Sequence, residues 1–227
     1  MKKKFHSCSV MASKNQYDLP EDFIFIHIPK TGGMSVRSAL RARGKRIPGP
    51  HKSVRAYQEL YGSDIFREYK GYAVIRNPLD RLVSAYFYVR GRFNSDSYDN
   101  KRERELFSNE FSAFIEELFH NHDRYFKELL IVMPQHCMVA GLDGVIPVEL
   151  YPFDNLAEFL SMVSKRYFDA SLEPVHLNRT KHTHFMDYYN DETRAMVLEM
   201  YKDDVLLYES LCVDILNRHL DMNPTNM

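Results

Sequence analysis

The sequence has no tryptophan, only three cysteines and nine glycines in 227 residues, and no excess of either charge. Each scarcity excludes something. Cys8, Cys137 and Cys212 are odd in number and far apart, which fits neither a disulfide framework nor a closed zinc site. They read as buried or incidental thiols in a reducing compartment. Thirty Lys and Arg stand against 31 Asp and Glu, so no global basic field exists for coating nucleic acid. A hydrophobic content of 44% excludes wholesale disorder.

Long apolar runs are missing as well. The longest stretch without a formal charge, Leu129 to Leu142, is too short to span about 30 Å of hydrocarbon and is interrupted by Pro134, Gln135 and His136. Lys2, Lys3 and Lys4 open the chain as a signal peptide would, but His6, Ser7, Ser9, Ser13 and Lys14 leave no apolar segment behind them. The expectation is a soluble, cytoplasmic protein with no integral membrane segment. Residues 1–21 read as a flexible polar leader and 22–227 as a single domain.

What is present is an alternation of strands and helices. Phe23 to Ile28 is a short apolar, β-branched and aromatic run suited to a strand buried on both faces. Pro29-Lys30-Thr31-Gly32-Gly33 follows, then a helical segment from Ser35 to about Arg43. Tyr72 to Ile75 reads as a second strand, Arg76-Asn77 as its polar exit, and Pro78 as a residue of a first helical turn. Leu79, Leu82, Val83 and Tyr86 then form an apolar helical stripe, from which Ser84 points away. Val54 to Tyr61 is weakly helical, and residues 91–105 read as a mobile surface excursion. Phe111 to Phe119 and Leu156 to Val163 have helical spacing, Val145 to Phe153 can supply another strand, and Asp191 to Leu220 reads as two helices. The fold class expected is α/β, with a central parallel sheet between layers of helices. In such a sheet ligands bind beyond the carboxyl ends of the strands, where both polar motifs lie.

Pro29 to Ser35 is a phosphate cradle in outline. Two glycines after a buried strand allow close backbone approach, and the following helix start offers unpaired N–H groups and a positive dipole end. Lys30 adds a charge, and Thr31 and Ser35 add hydroxyls. The pattern differs from G-x-x-x-x-G-K-[ST]: lysine comes first, and the second strand ends in Arg76 where a metal-holding Asp would stand. A metal-free anion site using Lys and Arg fits better. His182 and His184 form an H-x-H pair without a third nearby ligand, so no zinc is expected there.

The run Phe25 to Ser35 and the run Val74 to Tyr86 together resemble the two nucleotide-binding signatures of sulfotransferases that use 3′-phosphoadenosine 5′-phosphosulfate. The resemblance is greatest to the carbohydrate branch, which includes heparan sulfate 2-O-sulfotransferase and small bacterial relatives. Gly49-Pro50-His51, Pro134-Gln135, Pro152 to Leu156 and His176 to Thr180 are more distant matches, and the similarity spans about residues 23–210. It implies a P-loop-like three-layer fold. It also implies that Lys30, Thr31, Gly32, Gly33, Met34 and Ser35 hold the 5′-phosphosulfate, that Arg76 and Ser84 bind the 3′-phosphate, and that Arg179 belongs to a loop closing over the nucleotide. Asp154 departs from the family's usual Glu and is given no role.

The same resemblance makes His51 the general base for an acceptor hydroxyl and Lys30 the residue beside the bridging oxygen, in an in-line displacement at sulfur without a metal. The acceptor implied is a glycan or glycoconjugate. His27, inside the first strand, reads as a core residue. From Arg41 to Gln58 six basic residues (Arg41, Arg43, Lys45, Arg46, Lys52, Arg55) occur without an acid. They read either as a solvated face or as a rim guiding an anionic acceptor or donor. Two other functions stay open: a nucleotide-dependent phosphotransferase with a degenerate loop, and a non-catalytic module that binds an anion.

Overall fold

The computed structural model describes residues 23–42, 51–95, 98–168 and 183–222, the last five of them as backbone only. The leader, Gly49-Pro50, His182 and the Asn178 to Lys181 segment with Arg179 lie outside the described residues. In chain order the elements are β1 (Phe23–Ile26), α1 (Gly33–Arg41), α2 (Val54–Tyr61), α3 (Ile65–Glu68), β2 (Lys70–Ile75) and α4 (Pro78–Arg92). There follow α5 (Lys101–Phe107), α6 (Phe111–His120), α7 (His122–Glu128), α8 (Gln135–Val139), β3 (Glu149–Pro152), α9 (Leu156–Tyr167), α10 (Asp191–Met200) and α11 (Lys202–Met222).

The three strands form a wholly parallel sheet in the order β1-β2-β3, with Ile26 opposite Ala73 and Ile75 opposite Pro152 at its carboxyl edge. Parallel neighbours need crossovers, and the helices between the strands supply them. Strand alternation divides the core. Phe23, Phe25, Tyr72 and Val74 pack against Val36 and Leu40 of α1 and Phe159 and Val163 of α9. Ile24, Ile26, Ala73 and Ile75 face the opposite way, towards Val54 and Tyr57 of α2, Ile65 of α3 and Met138 of α8, with Leu207 and Leu211 of α11 at the margin. That is the three-layer α/β arrangement expected. A separate helical core rich in aromatic side chains joins α4 to α5, α6, α7 and α10 through Tyr86, Phe107, Phe111, Phe114, Tyr125 and Val197.

Some expectations are corrected. The first strand ends at Ile26, two residues before the end of the apolar run, because β1 and β2 stop pairing there and the chain turns as Thr31 Oγ1 donates to the Ile28 carbonyl at 3.0 Å. The stretch 91–105 is not simply an excursion. Helix α4 continues to Arg92, Tyr98 is buried, and Asn100 starts α5 by accepting the Glu103 N–H at 3.1 Å. The charges of α5 lie on its outer side, where Arg102 pairs with Glu105 and Glu128, while Leu106 and Phe107 are buried. Helix α4 is also not amphipathic in the simple sense. Arg81, Leu82, Val83, Ser84 and Ala85 are all buried, because the helix lies between the loop after β1 and the helical core.

Candidate active site

The carboxyl ends of the three strands converge. After β1 the backbone enters the left-handed region at Lys30 (φ 68°) and again at Gly32 (φ 77°), which turns the chain into α1. A side chain at Gly32 would be strained by that conformation and would also meet the Phe153 ring, just after β3, at 2.9 Å. At Gly33 the obstacle is different: an added Cβ would sit 1.9 Å from the His27 ring. No side chain caps α1, so its first N–H groups face the site without a side-chain acceptor. Ser35 is buried and Met34 exposed at this helix start. Thr31 is fully buried with its hydroxyl proton directed at Ile28.

Two cations stand at this turn, joined through the Lys30 carbonyl. Lys30 places Nζ 3.9 Å from the centre of the Tyr88 ring, and burial, with repulsion from Arg76, brings its pKa down to about 8. Arg76, the first residue beyond β2, is held on every side. Its Nε and Nη2 donate to the two oxygens of Asp80 at 2.7 and 2.9 Å, and its Nη1 donates to the Lys30 carbonyl at 3.0 Å. The guanidinium lies 4.4 Å from the Phe153 ring centre. These bonds use three of its five N–H groups. Ser84, two turns into α4, is 3% exposed and has no hydrogen bond to its hydroxyl among the described residues.

His51 also carries positive φ (62°) and directs its ring back under β1. Its Nδ1 lies 2.9 Å from the His27 carbonyl oxygen, and the two imidazole centres are 4.3 Å apart. A carbonyl only accepts, so Nδ1 carries the proton and Nε2 of the neutral ring carries the lone pair. Burial lowers the His51 pKa, the bond to His27 opposes this, and Arg37 lowers it further. His27 is buried as expected of a core residue, but it is also the floor on which both His51 and Gly33 rest. Burial, His51 and Arg37 depress its pKa to about 3, so the pair carries no positive charge at neutral pH.

The support beneath these residues joins parts of the chain far apart in sequence. Arg81, at 1% exposure, donates to the carbonyls of Pro29 (3.1 Å), Ile131 (3.2 Å) and Met133 (2.6 Å), tying the loop after β1 to the segment before α8. Its Nη1 lies 4.0 Å from Asp204 of α11. Asp204 accepts the backbone N–H groups of Gln135 and His136 at 2.7 and 2.8 Å. The Gln135 amide pairs in both directions with the backbone of Arg76, at 2.9 and 2.7 Å. Asp154 accepts the Tyr208 hydroxyl at 2.6 Å. Of the basic run, Arg41 is exposed, Arg55 donates to the Gly141 carbonyl at 3.4 Å, and Arg43, Lys45 and Arg46 lie outside the described residues. His184 accepts the Met186 N–H at 3.4 Å. Among the described residues no group of three or more His, Cys, Asp or Glu is placed to hold a metal ion, and no helix is long and apolar enough to cross a membrane.

Fold and site together define an α/β protein in which a glycine turn, a helix start, Lys30 and Arg76 meet at the carboxyl edge of a parallel sheet. The family model for the sulfotransferase family matches residues 17–136, just over half of the chain, and the chain belongs to that family. The matched region holds Lys30 to Ser35, His51, Arg76 and Ser84. No curated protein and no solved structure matches the chain.

Proposed function

We propose that the protein transfers a sulfuryl group from 3′-phosphoadenosine 5′-phosphosulfate to a hydroxyl of a glycan or glycoconjugate, with His51 as general base. The observation that carries this reading is a side-chain-uncapped helix start preceded by Lys30, with Arg76 donating to the Lys30 carbonyl and His51 bonded to the nearby His27 carbonyl. The N–H groups of Gly33 and Met34 suit the 5′-phosphosulfate, with Ser35 beside them and Gly32 and Thr31 shaping the turn. Arg76 keeps two N–H groups for the 3′-phosphate, and the Ser84 hydroxyl is free of protein partners among the described residues. Arg179 would close over the nucleotide.

The acceptor hydroxyl forms its bond to sulfur as the bond to the bridging phosphate oxygen breaks. His51 Nε2 takes the acceptor proton, and Lys30 faces the negative charge that collects on the leaving phosphate. Lys30 is mostly protonated at neutral pH and gains a counter-charge when the donor enters. Calorimetric titration with adenosine 3′,5′-bisphosphate, compared with ATP plus Mg²⁺, tests the donor. The bisphosphate is expected to bind without metal and ATP to bind weakly. Metal-dependent ATP binding with no bisphosphate binding would overturn the reading in favour of phosphoryl transfer.

A further inference from the structure

One set of side chains unused by the proposed transfer forms a linear array between α8 and α11. His136 stands between a carboxylate and a thiol, with Nδ1 2.9 Å from Asp204 Oδ1 and Nε2 3.4 Å from Cys137 Sγ. Asp203 Oδ2 approaches the same Nε2 at 3.8 Å. Asp204 is fully buried and accepts three N–H donors in all, from Gln135, His136 and the His136 ring. The ring therefore keeps its proton on Nδ1 and presents Nε2 to the sulfur. Burial pulls the His136 pKa down, but its bonds to Asp204 and Cys137 outweigh this and raise it to about 10. Cys137 is half-buried, packed against the core around Met138. Cys212, also half-buried, neighbours the Tyr208 hydroxyl and has no imidazole beside it among the described residues.

We propose that Cys137 is a modification site: a thiol activated by His136 and Asp204 that exchanges with low-molecular-weight disulfides, and whose mixed disulfide loosens the Arg76 clamp. The Cys137 sulfur, beside the His136 imidazole, loses its proton as it attacks one sulfur of the incoming disulfide. A new S–S bond forms, the old one breaks, and the second sulfur leaves as a thiolate that can take the His136 proton. No further oxidant is needed. The product places a bulky disulfide-linked group beside His136 in place of the small thiol. That ring shares Asp204 with the Gln135 N–H, and Gln135 holds both backbone groups of Arg76, so the strain reaches the anion site through two residues.

The exchange is tested on the full chain with oxidised glutathione, the modified cysteines being identified by peptide mass over time. Cys137 is expected to react about tenfold faster than Cys212 at neutral pH, and His136→Gln to slow Cys137 about tenfold while leaving Cys212 unchanged. Equal rates, or a Cys137 rate indifferent to His136→Gln, overturn the proposal. The coupling rests on the donor reading above. Its arm compares adenosine 3′,5′-bisphosphate binding before and after modification, in wild type and Cys137→Ser. A loss of affinity confined to the wild type supports coupling, and unchanged affinity overturns it. If the unmodified protein binds no bisphosphate, the donor reading and the coupling fall together, while the exchange rates still decide the thiol.

Discussion

His51 Nδ1 donates a hydrogen bond to the carbonyl oxygen of His27 at 2.9 Å. This contact orients the candidate base, fixes the tautomer and joins the residue after β1 to a position 24 residues away. In His51→Gln the side chain can still donate to the carbonyl but has no basic nitrogen. Turnover is expected to fall by roughly 10²–10⁴, the usual contribution of a positioned base, with bisphosphate affinity retained. Steady-state rates beside calorimetric titration separate the two, and wild-type turnover in the variant contradicts the assignment.

Gly33 and His27 compete for one volume. In Gly33→Ala the new methyl overlaps the His27 ring, whose Cδ2 lies 1.9 Å from its position. Overpacking of this kind costs about 1–3 kcal/mol. The same change in a His27→Ala background is expected to cost much less, because the obstacle is gone. Urea unfolding of the two single variants and the double variant measures the coupling, and simple additivity would contradict it.

Arg76 depends on its planar fork. Arg76→Lys keeps the charge but cannot pair with both Asp80 oxygens and the Lys30 carbonyl together. Loss of a charge-assisted bond of about 1.5–3 kcal/mol predicts bisphosphate affinity lower by roughly tenfold to a hundredfold. An unchanged dissociation constant in Arg76→Lys and Arg76→Ala would remove Arg76 from the site.

Arg81 serves stability. Arg81→Met leaves the Pro29, Ile131 and Met133 carbonyls without their buried donor and removes the cation facing Asp204. Breaking such a buried set is expected to cost about 3–5 kcal/mol. A variant as stable to urea as the wild type contradicts this.

Much of this was legible in the sequence, for physical reasons. Strand-glycine-helix at 23–41 and strand-Arg-Asn-Pro-helix at 70–92 are local patterns, and local rules find them. Asn100 as a cap was readable too, but the charged run around it resembles a loop. Asp204 was not, since its partners His136 and Arg81 are far away in sequence and only the fold brings them to one buried carboxylate. His27 shows the subtler case. Its strand position signalled burial correctly, but period-two alternation says nothing of what sits beyond the end of the strand, where His51 stacks on it.

Two histidines give opposite pH dependences. His27, depressed to about 3 from about 6.5, contributes stability that is full above pH 6.5 and is lost as pH falls towards 3. His136, raised to about 10, contributes stability that is full below pH 6.5 and is lost as pH rises through 10. The urea midpoint is therefore expected to peak near pH 6.5. His27→Phe should flatten the acid limb and His136→Gln the alkaline limb. A limb unchanged by its substitution would assign that titration elsewhere.

Sulfuryl transfer is read by following labelled sulfur from donor to acceptor. The full chain is incubated with ³⁵S-labelled 3′-phosphoadenosine 5′-phosphosulfate and a panel of glycans, lipids and phenols, without added metal. Label is expected on a glycan hydroxyl, with adenosine 3′,5′-bisphosphate released in equal amount and both products formed at least about a hundredfold more slowly by His51→Gln. Label on no glycan rules out the glycan sulfotransferase reading, and transfer that proceeds unchanged in His51→Gln rules out His51 as the base.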